Sequence, residues 1–334
     1  LGGIAVIELK DKLASLLNSV ADEIVLEVID AGLTHESYVC TVEKNKYYIK
    51  IYNNIDNISN VIGYINQLTE YMRGRGLPAS RLHAYSPAFA NIVVHEFVEG
   101  EMHAGKLSQT PAIAELCSRI ILVGADHGRQ VSRQSYFAGI HEVAEQMRTM
   151  ENRTPLVDPA VHTGMQAVTR SVLACLEAEI TDAELLHVHV HDDFTEKNIL
   201  LQGDQVKLLC DWDSCRLKFM AEYLACSAAR FSTERPLHGL LQKDKLCHFL
   251  NSVDPRVVRL ISSVSEFASL FACAATLKHL RTYAFRHSRV SLERPDLRIP
   301  LLQWPLQHCE WLLENRHRVG EWVYEALAER RSAV

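Results

Sequence analysis

The chain contains no Cys-x-x-Cys pair, and its nine cysteines, an odd number, lie mostly in apolar stretches such as Phe271-Ala272-Cys273. Zinc ribbons and secreted disulfide frameworks are built otherwise, so reduced, mostly buried thiols of an intracellular protein are expected. Cations are not in excess: 35 Lys and Arg face 41 Asp and Glu, a formal charge of −6. Nucleic-acid binding needs a clustered basic surface and is not expected. Long apolar runs are also missing. Stretches such as Ile120-Ile121-Leu122-Val123 fall far short of the ~20 residues of a membrane span. The opening Leu1-Gly2-Gly3-Ile4 has neither a basic n-region nor a hydrophobic block, so a cytoplasmic location without membrane contact is the expectation. No fixed-period repeat or low-complexity tract occurs.

What remains is ordinary globular composition, 48% apolar and 23% charged over 334 residues, enough for two packed units at roughly 150 residues each. After a helix at 7–20, the first hundred residues alternate with period two. Strands are predicted at 24–29, 37–42 and 47–52, the last two forming a hairpin with Lys44 and Asn45 near its turn. A helix over 58–73 follows, closed by Gly74, Gly76 and Pro78, then strands at 81–85 and 91–98. From Thr110 the apolar period becomes helical, with Thr110 as N-cap and Pro111 at N1 of the first helix. Further helices are predicted at 164–180, 219–231, 256–283 and 305–329, interrupted by one β-rich island from Leu185 to Asp211. The expected fold class is α+β in two lobes, residues 1–98 and 99–334.

The island carries the chemistry. His191-Asp192-Asp193-Phe194-Thr195-Glu196-Lys197-Asn198 precedes an apolar hairpin, and Cys210-Asp211-Trp212-Asp213 follows it. An Asp and an Asn five residues apart, with a second Asp ending the next strand, can converge on one point. Amide and carboxylate oxygens are hard ligands that suit Mg²⁺, which takes the rest of its shell from water and phosphates. Asp193 can then accept a proton from a hydroxyl nucleophile. A solvated acidic turn would account for Asp192, Asp193 and Glu196, but not for an apolar hairpin set between acids in a helical half. His187, His189 and His191 alternate and so share one strand face. They are open either to a zinc site or to structural and loop-bracing roles; i and i+2 positions rarely surround one ion without a further ligand.

The pattern H-x-D-x-x-x-x-N followed by hydrophobic-D-W-D resembles the aminoglycoside phosphotransferase/choline kinase family of kinase-like enzymes. The resemblance implies a two-lobed, protein-kinase-like fold with a β-rich, nucleotide-binding N-lobe carrying one helix and a larger helical C-lobe. It makes Asp193 the catalytic base, Asn198 and Asp211 the metal ligands, and His191 the brace of the loop. Trp212-Asp213 stands where these kinases carry Trp-Glu or Trp-Asp. The stretch 30–38, with Gly32, Thr34 and Ser37, occupies the place of the family's nucleotide-covering loop, although it has a single glycine. Lys50, the single charge in Tyr48-Ile49-Lys50-Ile51-Tyr52, sits where the family keeps a phosphate-contacting lysine. Its usual partner is a helix-borne Glu, yet Glu70 is the only acid inside the helix 58–73 and falls late in it. The segment 93–100, with Glu96 and Val98, resembles the hinge that holds adenine by backbone groups. Ala221-Glu222-Tyr223-Leu224-Ala225 lies where Tyr-Asp-Leu-Ala is common, the acid one residue out of register. Residues 231–334 resemble nothing further.

The function so implied uses ATP and Mg²⁺ to phosphorylate a hydroxyl of a small molecule, such as an aminoglycoside-like antibiotic or an amino alcohol. Asp192, Glu196 and Asp213 can attract a cationic acceptor. A non-catalytic nucleotide-binding scaffold is the alternative, but it predicts loss of Asp193, Asn198 or Asp211, all of which are present. The absence of D-F-G and A-P-E disfavours a protein kinase.

Overall fold

Period-two alternation in the first hundred residues and helical periodicity beyond Thr110 translate into a mixed α+β chain. The computed structural model describes residues 3–29, 35–52, 58–89, 91–150, 159–233, 240–293 and 298–332. The elements begin with α1 (Gly3–Leu17), β1 (Ile24–Val28), β2 (His35–Val42), β3 (Asn45–Tyr52), α2 (Ile58–Gly74), β4 (Leu82–Tyr85), β5 (Ile92–Glu96) and β6 (Glu101–Met102). Then come α3 (Thr110–Ala125), β7 (Arg129–Ser132), α4 (Arg133–Met150), α5 (Pro159–Glu179), β8 (Glu184–His191), β9 (Ile199–Gln202), β10 (Gln205–Leu209) and β11 (Cys215–Phe219). Six helices end the chain: α6 (Met220–Phe231), α7 (Lys243–Asn251), α8 (Pro255–Leu260), α9 (Val264–Glu293), α10 (Arg298–Glu314) and α11 (Arg316–Ser332). Packing divides the protein into two units, Leu1–Ala104 with Asp193–Ser214, and Gly105–Asp192 with Cys215–Val334.

In the first unit five antiparallel strands are ordered β1-β2-β3-β5-β4. Tyr38, Cys40 and Val42 alternate to one face of β2 and are buried with Ile24, Ile49, Ile92 and Val94, and α1 lays Leu9 and Leu13 onto them. Each such aliphatic side chain contributes about 1.5–3 kcal/mol on full burial. The β2–β3 turn is Glu43-Lys44, one residue earlier than expected: Val42 pairs with Asn45, and Glu43 takes a left-handed φ of 54°. A second, three-stranded sheet, β10-β9-β6, is built on a hairpin whose turn contains Gly203 at φ 60°. That positive φ suits glycine, which has no Cβ to clash.

In the second unit β8 is the centre of the sheet β11-β8-β7. Helix α3 backs onto it closely: a Cβ on Gly124 would stand 2.0 Å from the His189 carbonyl oxygen. Strands β7 and β11 and helices α4 and α7 go beyond the expected elements. Helix α4 buries Tyr136, Phe137, Ile140 and Met147, with Val143 and Ala144 half-buried on the same stripe, a helical spacing that the sequence itself carries. Strand β11 exists because it pairs with β8, Cys215 opposite His191 through Phe219 opposite His187. Helix α3 begins at Thr110 itself, with Gln109 before it and no side-chain cap. The expected helix 305–329 is two helices, α10 and α11, broken at Asn315.

Candidate active site

Strand β8 ends at His191, and a short 3₁₀ turn over Glu196–Asn198 leads into β9. Asn198 is buried, and its Nδ2 donates to the backbone oxygen of Asp193 at 2.8 Å and to Asp193 Oδ2 at 2.9 Å. The Asp193 N–H donates to Ser214 Oγ at 3.1 Å, and Lys197 Nζ lies 3.4 Å from Asp193 Oδ2. Asp193 is thus held from both its backbone and its side chain, while one third of the side chain stays exposed. The hairpin then returns the chain: the Cys210 N–H donates to the Asn198 carbonyl at 2.9 Å. Asn198 and Asp211 therefore stand at the two ends of one hairpin.

Asp211 has φ 66°, a left-handed conformation that short polar residues adopt at the least cost after glycine. It turns the chain out of β10 into a 3₁₀ turn, Trp212–Ser214, pinned by buried Trp212, whose Nε1 donates to the Leu209 carbonyl at 2.8 Å. Both acids of this turn meet one cation. Lys50 Nζ lies 2.5 Å from Asp211 Oδ1 and 2.5 Å from Asp213 Oδ2. The Tyr52 hydroxyl donates to Asp213 Oδ1 at 2.9 Å, and the Lys50 ammonium sits 4.9 Å from the centre of the Tyr52 ring. Burial works against the charge on Lys50, but Tyr52, Asp213 and Asp211 outweigh it and hold the amine protonated well above the usual lysine range. Burial and Lys50 both push the nearby His35 imidazole towards neutrality.

Glu70, Ser37 and Glu96 have side-chain partners of their own. Glu70 is half exposed and paired with Arg73 at 2.9 Å, so Lys50 takes its acids from the turn after β10. Ser37 lies within β2, directly opposite Lys50, and its hydroxyl is bonded to Tyr48 OH at 2.9 Å. Glu96 is exposed and bridged to Arg81 at 3.1 Å, and its backbone N–H is committed to the Arg81 carbonyl. Glu96 and Val98 line a cavity of about 510 Å³ with Gly76, Pro78, Arg81 and Lys207. Gly32 and Thr34 fall outside the described residues.

In the second unit His191 is fully buried on β8. Among the described residues no three His, Cys, Asp or Glu side chains form a metal cage, so nothing supports a zinc site at His187, His189 and His191. Asp192 is buried and paired with Arg216 and, at 2.8 Å, with Lys218, while Lys278 donates to its carbonyl. Both Asp192 and Asp213 are thereby engaged by cations of this chain. Glu222, fully buried on α6, pairs with Lys218 at 3.1 Å and with Arg281, and accepts from Tyr136 OH at 3.1 Å. Burial would raise its pKa, but Arg281 and Lys218 prevail and bring it down to about 2.

The residues that sequence patterning misses are Tyr52 and Asp213 as partners of Lys50. A signal existed for the first: Tyr52 is two residues from Lys50 and so shares its strand face. The donor set fits a hard cation. The nitrogen end of Asn198 is committed to Asp193, which leaves its oxygen as the end that a cation could take, beside a carboxylate from Asp211. Two protein oxygens are the sparse set that Mg²⁺ accepts when phosphates complete its shell.

A model of the phosphotransferase enzyme family matches residues 25–261, and no curated protein matches the sequence. Among solved structures the chain is similar to a choline kinase from Cryptosporidium parvum, at TM-score 0.65 and 11% identity over 98% of each chain. It is also similar to an ethanolamine kinase from Plasmodium vivax, at TM-score 0.65 and 11% identity over 95% of this chain and 91% of that one. An amicoumacin kinase in complex with AMP-PNP and Ca²⁺ gives TM-score 0.63 at 14% identity, over 92% of this chain and 93% of that one. At these identities the likeness establishes a kinase-like fold. No described helix is long and apolar enough to cross a membrane.

Proposed function

The chain belongs to the phosphotransferase enzyme family, and from that premise we propose that it transfers the γ-phosphate of ATP to a hydroxyl of a small molecule, such as an amino alcohol or an aminoglycoside-like compound. The observation that carries this reading is the bonded path from Asp193 through Asn198 to the hairpin end with Asp211 and its partner Lys50. The nucleotide analogue and divalent cation of the amicoumacin kinase complex support ATP with Mg²⁺.

Asp193 accepts the proton of the acceptor hydroxyl as its oxygen bonds to phosphorus. A positioned carboxylate can serve because the proton becomes acidic only as that bond forms. Asn198 holds one carboxylate oxygen in place, which fixes the group without protonating it. Asn198 and Asp211 would hold the metal, which when bound draws charge from the β- and γ-phosphates. Lys50 supplies a point charge for phosphate oxygens. The balance is alcohol plus ATP giving phosphate ester, ADP and one proton.

The test is a panel of amino alcohols, amino sugars and aminoglycosides incubated with Mg²⁺ and ATP, with products detected by mass spectrometry. A phosphorylated acceptor formed by the wild type and not by Asp193→Asn is the expected result. Tight nucleotide binding without transfer to any compound would favour the scaffold alternative.

A further inference from the structure

The ammonium of Lys50 faces two carboxylates, where the family resemblance implies one acid from a helix. Helix α2 cannot supply it, since Glu70 is directed to Arg73 and half exposed. The two carboxylates are not equivalent. Asp211 is the more exposed, 36% against 23%, and carries the oxygens suited to a cation. Asp213 also accepts from a neutral donor of the sheet, the Tyr52 hydroxyl at 2.9 Å. Tyr52 and Lys50 project from one face of β3, so a single strand presents both the cation and the group that orients its counter-ion. A lysine has three N–H donors; with one on each carboxylate, the third is left for a phosphate oxygen.

We propose that Asp213, oriented by the Tyr52 hydroxyl, is the standing counter-ion of Lys50, taking the part of the missing helix acid, while Asp211 is the partner that can be given up when nucleotide and metal enter. Asp213 and Tyr52 are then positioning residues, acting through Lys50. The proposal rests on the phosphotransferase reading. It explains how a lysine whose side chain is only 6% exposed keeps a counter-ion when Asp211 turns to other work, since an unpaired buried charge is costly.

The test is a double-mutant cycle on the full chain, read by calorimetric titration with AMP-PNP and MgCl₂. Asp213→Asn is expected to weaken binding roughly tenfold in the wild-type background, in the range of a bond to a charged group, and less than about twofold when Lys50 is Met. Tyr52→Phe, which keeps the ring, should weaken binding by about three- to fivefold, and not additively with Asp213→Asn. Glu70→Gln should change nothing. Equal losses for Asp213→Asn in both backgrounds would overturn the proposal, because Asp213 would be acting without the lysine. So would a loss from Glu70→Gln that vanishes in Lys50→Met. Failure of the wild type to bind Mg·AMP-PNP would overturn the phosphotransferase reading, and this proposal with it. Thermal unfolding without nucleotide gives a second cycle: Asp213→Asn should lower Tm in the wild type, yet leave it level or raise it in Lys50→Met, where two carboxylates otherwise face each other. A Tm loss of the same size in both backgrounds would count against the pairing.

Discussion

The side-chain amide of Asn198 grips Asp193 twice, at the backbone oxygen (2.8 Å) and at the carboxylate (2.9 Å). One residue thereby sets both the path of the loop and the direction of the proposed base. Asp193→Asn keeps the shape and removes the proton acceptor, so turnover should fall by at least ~10², the scale of general-base catalysis. Affinity for Mg·AMP-PNP by calorimetry should stay within a few-fold of wild type. Near-normal turnover would remove Asp193 from the mechanism.

The hairpin ends should differ in their response to metal. Asp211→Ala removes a charged ligand and should raise the Mg²⁺ concentration needed for nucleotide binding by about tenfold or more. Asn198→Ala should do the same more mildly, since a neutral amide contributes less, and should also lower turnover by releasing Asp193. Metal titrations at fixed nucleotide separate the two effects. Wild-type Mg²⁺ dependence in both variants would place the metal elsewhere.

Gly124 should tolerate no side chain. The Cβ of Gly124→Ala would lie 2.0 Å from the His189 carbonyl, so α3 must move off β8 or the strand must bend. Overpacking of this kind costs about 1–3 kcal/mol, occasionally more, and backbone on both sides puts this case at the upper end. Urea denaturation should show the loss as a lower midpoint.

Acid should weaken the fold in two stages. Burial, assisted by Lys50, lowers the His95 pKa from 6.5 to about 4. The stability that depends on neutral His95 is present above pH 6.5 and drains as pH falls towards 4. Glu222 is lowered from 4.5 to about 2 against its burial, so its contribution is whole above pH 4.5 and is lost as pH falls towards 2. Denaturant unfolding at pH 7.5, 5 and 3 should show both stages, with His95→Phe flattening the upper one. Glu222→Gln should cost roughly 3 kcal/mol at neutral pH, because it removes the fully buried carboxylate that pairs with Arg281 and with Lys218. A pH-independent stability between 7.5 and 3 would contradict both assignments.

Much of this protein is legible along the chain because its signals are local. The alternation of Tyr38, Cys40 and Val42 marks a strand with one buried face, and the β9–β10 hairpin follows from apolar runs around a glycine turn. The spacing of Asp193, Asn198 and Asp211 is likewise a property of one short segment. Elements that owe their existence to a distant partner leave no such mark. Strand β11 forms because β8 offers an edge to pair with.

The sequence alone determined the α+β class, the membership of one enzyme family and the oxygen-rich hairpin, since each depends on residue type and short spacing. Tertiary structure decided the partner of Lys50. The distance in space from Lys50 to Asp213 is set by folding, and no local rule links them. Only the left-handed turn at Asp211 and the pinning of Trp212 swing two acids onto that lysine, while Glu70 faces Arg73 on its own helix. A charge finds its counter-ion by proximity in space, and proximity between segments about 160 residues apart is created only by the packing that buries them both.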